Sequence, residues 1–244
     1  MINNEFDTNN VYKGFIYEIV DSSGNNGFLA GSIHIGEKKY KVSQHFKEAL
    51  DNADELFVEF DLNSKSFKQV NTDIVIAKIL LEADLMKIPR ETIIKSFGAT
   101  AIAVEQFPVG TEVKLVKKAE KKNIPISSLE TAEIQARFLV KTIAELLDEK
   151  EPVNENNLNI DDFYQPIKMY KEGNSKYFKE ECENQSLQSQ SLLAERNVNM
   201  VNVMDAHFSK KVTPFFLVGT AHLYGEQGMV SLLREKGYTV KKMK

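Results

Sequence analysis

Apolar residues follow two rhythms along this chain. Short unbroken blocks stand near the ends: Phe15-Ile16-Tyr17-Glu18-Ile19-Val20, Gly27-Phe28-Leu29-Ala30, Leu56-Phe57-Val58-Glu59-Phe60 and Pro214-Phe215-Phe216-Leu217-Val218. Apolar runs of this length, bounded by turn residues, predict buried strands. The polar stretch 21–27 between the first two contains Gly24 and Gly27, so a hairpin opens the fold. Elsewhere the period is helical. Val42, Phe46, Ala49, Leu50 and Ala53 share one face, with Ser43 as the expected N-cap. Helices are predicted over 74–86, 91–107, 109–122, 132–147, 176–208 and 227–236, the last closed by Gly237. The segment 124–129 reads as a strand, and Pro125 marks it as a sheet edge or strand start. Residues 238–240 read as a final strand, and 148–159 as a surface loop.

This order predicts an α/β or α+β fold: a small central sheet built from both chain ends, with a large helical insert. The whole chain, 1–244, is expected to form one domain. Its segments about 62–123 and 131–208 are expected to be mostly helical and packed on the sheet.

Two of the apolar blocks end alike. Gly31-Ser32-Ile33-His34 follows one and Gly219-Thr220-Ala221-His222 follows the other. Glycine permits a tight turn off a strand and close approach of backbone to ligand. A histidine placed there sits where open α/β sheets put their ligands. A neutral imidazole serves as a metal ligand or as a general base. Glu59 stands in an otherwise apolar strand, and a buried carboxylate needs a partner. That partner is a metal ion, a histidine, or Arg196. Arg196 and Asn199 stand three apart on the predicted long helix among Leu192, Leu193, Met200, Val201 and Met204. An arginine in such company suggests a fixed anion: a substrate carboxylate or a developing oxyanion. Glu130 and Gln135 either line the same crevice or, for Glu130, stabilise a helix start. His45 and His207 read as structural, the latter near a helix end where a cation is favourable. Glu226 reads as a first-turn acid.

The net charge of -4 and pI near 5.7 leave no basic face for nucleic acid. Lys114, Lys117, Lys118, Lys121 and Lys122 cluster but are interrupted by acids, as on the wet side of a helix. Cys182 is the only cysteine, so no intramolecular disulfide forms, and its acidic neighbours raise a thiol pKa. No apolar run approaches membrane-spanning length, and residues 1–10 lack a secretory layout, so a cytoplasmic protein is expected.

Taken in order, the stretches 31–36, 53–59, 128–131 with Gln135, 194–197 with Asn199 and Met200, 218–223 and 228–238 resemble the TraB/GumN family. That family is related to the Tiki metalloproteases and, more distantly, to erythromycin esterase-like and ChaN-like proteins. The resemblance runs from about Gly14 to Val240. It implies a metal-dependent hydrolytic site made of the paired glycine-x-x-histidine motifs and the strand glutamate. Carried onto this chain, these are His34, His222 and Glu59, with Arg196 and Asn199 as further site residues. Tiki-like members are proteases, and TraB-like members are tied to shutting down peptide pheromones in bacteria. Unlike many relatives, the chain is expected to carry no export signal and no membrane anchor. Glu112, after Gly110-Thr111, is assigned no role.

The expected function is therefore a metal-dependent hydrolase acting on a peptide or small-molecule substrate. A divalent ion of the Zn, Mn or Co class is expected at His34 and His222, with Glu59 as third ligand or as base. Arg196 and Asn199 join Glu59 as catalytic residues, and Glu130, Gln135 and Arg196 contact substrate. Two alternatives stay open: a peptide-sequestering protein without chemistry, and an esterase-like hydrolase that uses a histidine base without metal.

Overall fold

The structure, a computed structural model, describes residues 10–59, 70–94, 109–148, 161–208, 210 and 212–243. Strand β1 is Val11–Tyr12, β2 Phe15–Val20, β3 Asn26–Ser32, β4 Lys41–Val42, β5 Glu55–Val58, β6 Ile126–Ser128, β7 Pro214–Gly219 and β8 Thr239–Lys242. The predicted hairpin forms, with β2 and β3 antiparallel from Phe15↔Gly31 to Val20↔Asn26. Its turn is built by Asp21, whose Oδ1 accepts the backbone N–H groups of Ser23 (2.9 Å) and Asn25 (2.8 Å), while Gly24 takes φ +85°.

Six strands make one mixed sheet in the order β6-β5-β7-β3-β2-β8, and β1 pairs with β4 separately. Strand β7 comes late in the chain yet lies between β3 and β5, parallel to both. All six of its residues are buried. Its unbroken apolar run is what a strand covered on both faces requires. Strand β6 is an edge, as Pro125 suggested, and pairs in parallel with β5. The sheet therefore draws on both chain ends and on one strand from the middle.

Helix α1 is Gln44–Asp51, α2 Val70–Leu85, α3 Thr111–Lys122, α4 Ala132–Asp148, α5 Asp161–Glu172, α6 Ser175–Glu183, α7 Leu187–Phe208 and α8 Met229–Glu235. The main core joins the sheet to α1, α3, α7 and α8 through residues such as Phe46, Leu115, Met204 and Leu233. A second cluster joins α2 to α4 through Ile79, Ala83, Ala136, Val140 and Ile143.

Several local expectations are corrected. Ser43 does occupy the α1 cap position, but it makes no capping hydrogen bond and its buried Oγ has no partner. The helix predicted over 176–208 is two helices. Ser186 breaks it by accepting the Ser189 N–H through Oγ at 3.0 Å, a cap that competes with helix continuation. Helix α5 falls within the segment 131–208 expected to be mostly helical, and its fully buried Tyr170 donates to the Gly31 carbonyl at 2.7 Å. Of the helix predicted over 91–107, residues 91–94 are helical and 95–108 lie outside the described residues. Of the loop predicted over 148–159, Asp148 closes α4 and the rest lies outside them. No described helix is long and apolar enough to cross a membrane.

Candidate functional site

Strands β3, β7, β5 and β6 are mutually parallel, so their carboxyl ends share one edge of the sheet. The register aligns Ser32 with Gly219, Val58 with Leu217 and Val58 with Ser128. His34, His222, Glu59 and Glu130 each follow one of these ends within three residues. The two histidine motifs are therefore neighbours in space, on adjacent strands. The Thr220 hydroxyl ties them by donating to the Ser32 carbonyl at 2.7 Å.

His222 sits in a 3-10 turn, Thr220–Leu223, and is 3% exposed. Asn197 on α7 donates through Nδ2 to the Gln227 carbonyl (2.7 Å), so its Oδ1 is an acceptor and takes the His222 Nδ1–H. The His222 Nε2 faces Glu59 Oε1 at 3.3 Å. In the neutral ring that nitrogen carries a lone pair.

His34 is held in the same sense by a different residue. Its Nδ1 lies 3.2 Å from Glu112 Oε2, which can only accept. Glu112 is in the first turn of α3. The α3 start is docked on the His34 turn by the Thr111 N–H, which donates to the Ile33 carbonyl at 2.9 Å. Gly110 makes that approach possible, since a Cβ there would stand 2.4 Å from the His34 carbonyl oxygen. The Glu112 carboxylate raises the His34 pKa to about 9, and the field of Glu59 adds to the effect. Unlike His222, the His34 side chain is 64% exposed.

Glu59 is bound on all sides. Its Oε2 accepts the Gly219 N–H at 2.7 Å and its Oε1 accepts from Arg196 Nη2. Burial opposes its ionisation, but His222, His34 and Arg196 together hold its carboxyl well below the usual range. Arg196 also donates to Glu130 through Nε (2.8 Å) and Nη2 (2.6 Å), and lies 4.1 Å over the Phe138 ring. Burial works against its charge, and the two carboxylates outweigh that and raise its pKa. Gln135 donates to Glu130 in turn.

These groups meet at Gly219. A Cβ at that position would stand 3.1 Å from Glu59 Oε2, 3.4 Å from His34 Nε2 and 3.6 Å from His222 Cδ2. The missing side chain leaves a cradle, and the ring nitrogens not tied up by Glu112 and Asn197 belong to its surroundings. Two imidazoles and a carboxylate are a donor set suited to a divalent transition metal. As the side chains stand, no three His, Cys, Asp or Glu among the described residues are grouped to hold a metal ion, and both Glu59 oxygens are taken by protein donors.

The structure thus brings His34, His222, Glu59, Arg196, Glu130 and Gln135 into one connected set. Glu130 is 4% exposed, and its two oxygens accept from Arg196 and Gln135. The salt-bridge alternative for Glu59 with Arg196 is realised. Asn199 is exposed and lines a groove between α4 and α7 together with Arg196 and Phe138. The helix neighbour that touches a histidine is Asn197 instead. Sequence reasoning missed Asn197 and Glu112. Helical spacing from Arg196 selected Asn199, whereas the contact comes from the adjacent face. Glu112 follows Gly110-Thr111 at a helix start, and only the docking of that start on the His34 turn gives it a role. His45 lies 3.4 Å from Glu48 and His207 packs on Phe57, both away from this set.

The TraB/PrgY/gumN family model matches residues 89–242, which takes in Glu112, Glu130, Arg196, Asn197, Asn199 and His222. No curated protein and no solved structure matches the chain.

Proposed function

The chain belongs to the TraB/PrgY/gumN family, and from that premise we propose that it is a metal-dependent hydrolase acting on a peptide. The observation that carries this reading is the meeting of His34 Nε2, Glu59 and the His222 ring around the space left by Gly219. His34 and His222, through Nε2, and Glu59 would hold the ion. The ion supplies Lewis acidity, which makes a water more acidic and polarises a carbonyl. Glu112 and Asn197 fix the two rings by accepting at Nδ1, the arrangement that orients metal-binding histidines generally. Arg196 holds the Glu59 carboxylate in place, and Glu130 and Gln135 hold Arg196 from behind. The groove carrying Phe138, Leu192 and Asn199 runs up to Arg196 and is where a peptide chain would lie.

Metal analysis of the purified protein, with turnover of a peptide library, tests this reading. His34→Ala and His222→Ala should each lower both metal content and turnover. If neither quantity changes in either variant, the reading is wrong. The Asn197–His222–Glu59 chain of contacts favours a second reading, a hydrolase with His222 as general base and no metal. Turnover that resists a chelator would select it.

A further inference from the structure

Two cavities, of about 460 and 330 Å³, lie along the segment 224–227. They share Glu183, Tyr224, Gly225 and Glu226 in their linings, so they adjoin, and together they are referred to as the trough. Lys179 of α6, Arg234 of α8 and Lys242 of β8 line only the larger part. The buried hydroxyls of Tyr17 and Tyr224 stand 3.5 Å apart in its wall. Burial raises both phenol pKa values, so both remain donors near neutral pH. The smaller part is lined by Cys182, Leu193 and Ala194, and reaches Asn197, the residue that holds His222.

No ion pair within 4.0 Å joins the charged residues of this trough to described partners. No described carboxylate lies within 4.0 Å of Lys179, Arg234 or Lys242, and no described cation lies that close to Glu183 or Glu226. Arg234 instead donates to the Val240 carbonyl at 3.0 Å, and Lys242 sits 5.2 Å over the Phe15 ring. Burial and the neighbouring Lys179 lower the Lys242 pKa, which an arriving anion would reverse. Three cations at one end and two acids where the cavities join match a ligand with a charge of each sign, separated by a few bonds. The volume suits a small molecule.

We propose that this trough binds a short peptide or amino acid by its two charged ends, the carboxylate at Lys179, Arg234 and Lys242 and the ammonium at Glu183 and Glu226. The site is separate from the Gly219 cradle and does not depend on the hydrolytic reading. A ligand filling the inner part touches Asn197, one hydrogen bond from His222.

Titration calorimetry of the intact protein with alanine, dialanine, N-acetyl-dialanine and dialanine amide tests the proposal. Dialanine or alanine should bind, and their relative strengths separate a peptide site from an amino-acid site. Each capped form should bind about two- to fivefold more weakly. The double variant Lys179→Gln/Lys242→Gln, at exposed positions, should weaken dialanine by at least about twofold and leave dialanine amide unchanged. Glu226→Gln should do the converse for the acetylated form. Equal binding of capped and free forms, no binding by any of the four, or binding that both sets of variants leave intact would overturn it.

Discussion

Gly219→Ala is the most direct probe of the candidate site. Gly219 has φ −56° and ψ 141°, a conformation open to any L-residue, so the substitution brings no backbone strain. Its new methyl would lie 3.1 Å from Glu59 Oε2, inside ordinary contact distance, and 3.4 Å from His34 Nε2, at its limit. The Glu59 carboxylate must retreat by a few tenths of an ångström, and the methyl fills the space beside the His34 ring. Overpacking of this size costs about 1 kcal/mol of stability. The effect on chemistry should be larger, since displacing reacting groups by up to an ångström lowers rates by about a hundredfold. The assay pairs thermal melting with metal content and peptide turnover. A near-normal melt with metal affinity and turnover cut at least tenfold is the expected result. Gly31→Ala is the contrast. There a Cβ would meet Leu223 Cδ1 at 2.7 Å and the Thr220 backbone at 3.1 Å, so it should lower stability first. If Gly219→Ala keeps full metal affinity and turnover, the cradle is not where the chemistry occurs.

Three other outcomes follow from the same geometry. Glu130→Ala leaves a buried Arg196, its side chain 7% exposed, with one carboxylate where it had two. Denaturant unfolding should register a loss of about 3–5 kcal/mol, and a loss below about 1 kcal/mol would show that the pair is not structural. Glu112→Gln should bring the His34 titration, followed by NMR in metal-free protein, down from about 9 towards the ordinary 6.5, and an unmoved pKa would mean another group raises it. His207 behaves oppositely: burial and then Lys210 lower its pKa below 6.5, so the folded state prefers the neutral ring. Its contribution to stability is full above the unfolded pKa and is lost as pH falls through the folded value. His207→Gln should narrow the gap in melting temperature between neutral and mildly acidic pH, and an unaltered gap would contradict that sign.

Strand β7 was readable because it is apolar on both faces. Phe215, Phe216, Leu217 and Val218 leave no polar face for water, so only a covered position suits them. The break at Ser186 was less readable, because a serine costs little inside a helix, and its capping bond to Ser189 is visible only once formed. His207 shows the same limit. Its place near the helix end argues for a cation, yet burial and the neighbouring Lys210 favour the neutral form. Asn197 differs from Asn199 only by which side of α7 faces the turn that carries His222.

Local chemistry was thus written in the chain itself: two glycine-x-x-histidine turns, an acid in an apolar strand, an arginine among leucines and methionines. Their meeting was decided by sheet order. Inserting β7 between β3 and β5, all parallel, puts residues more than a hundred positions apart at one sheet edge. Strand order depends on which apolar faces cover one another across the whole molecule, and no stretch of sequence carries that information alone. The partners of the two rings, Glu112 and Asn197, were settled at the same level, by how α3 and α7 dock against the ends of those strands.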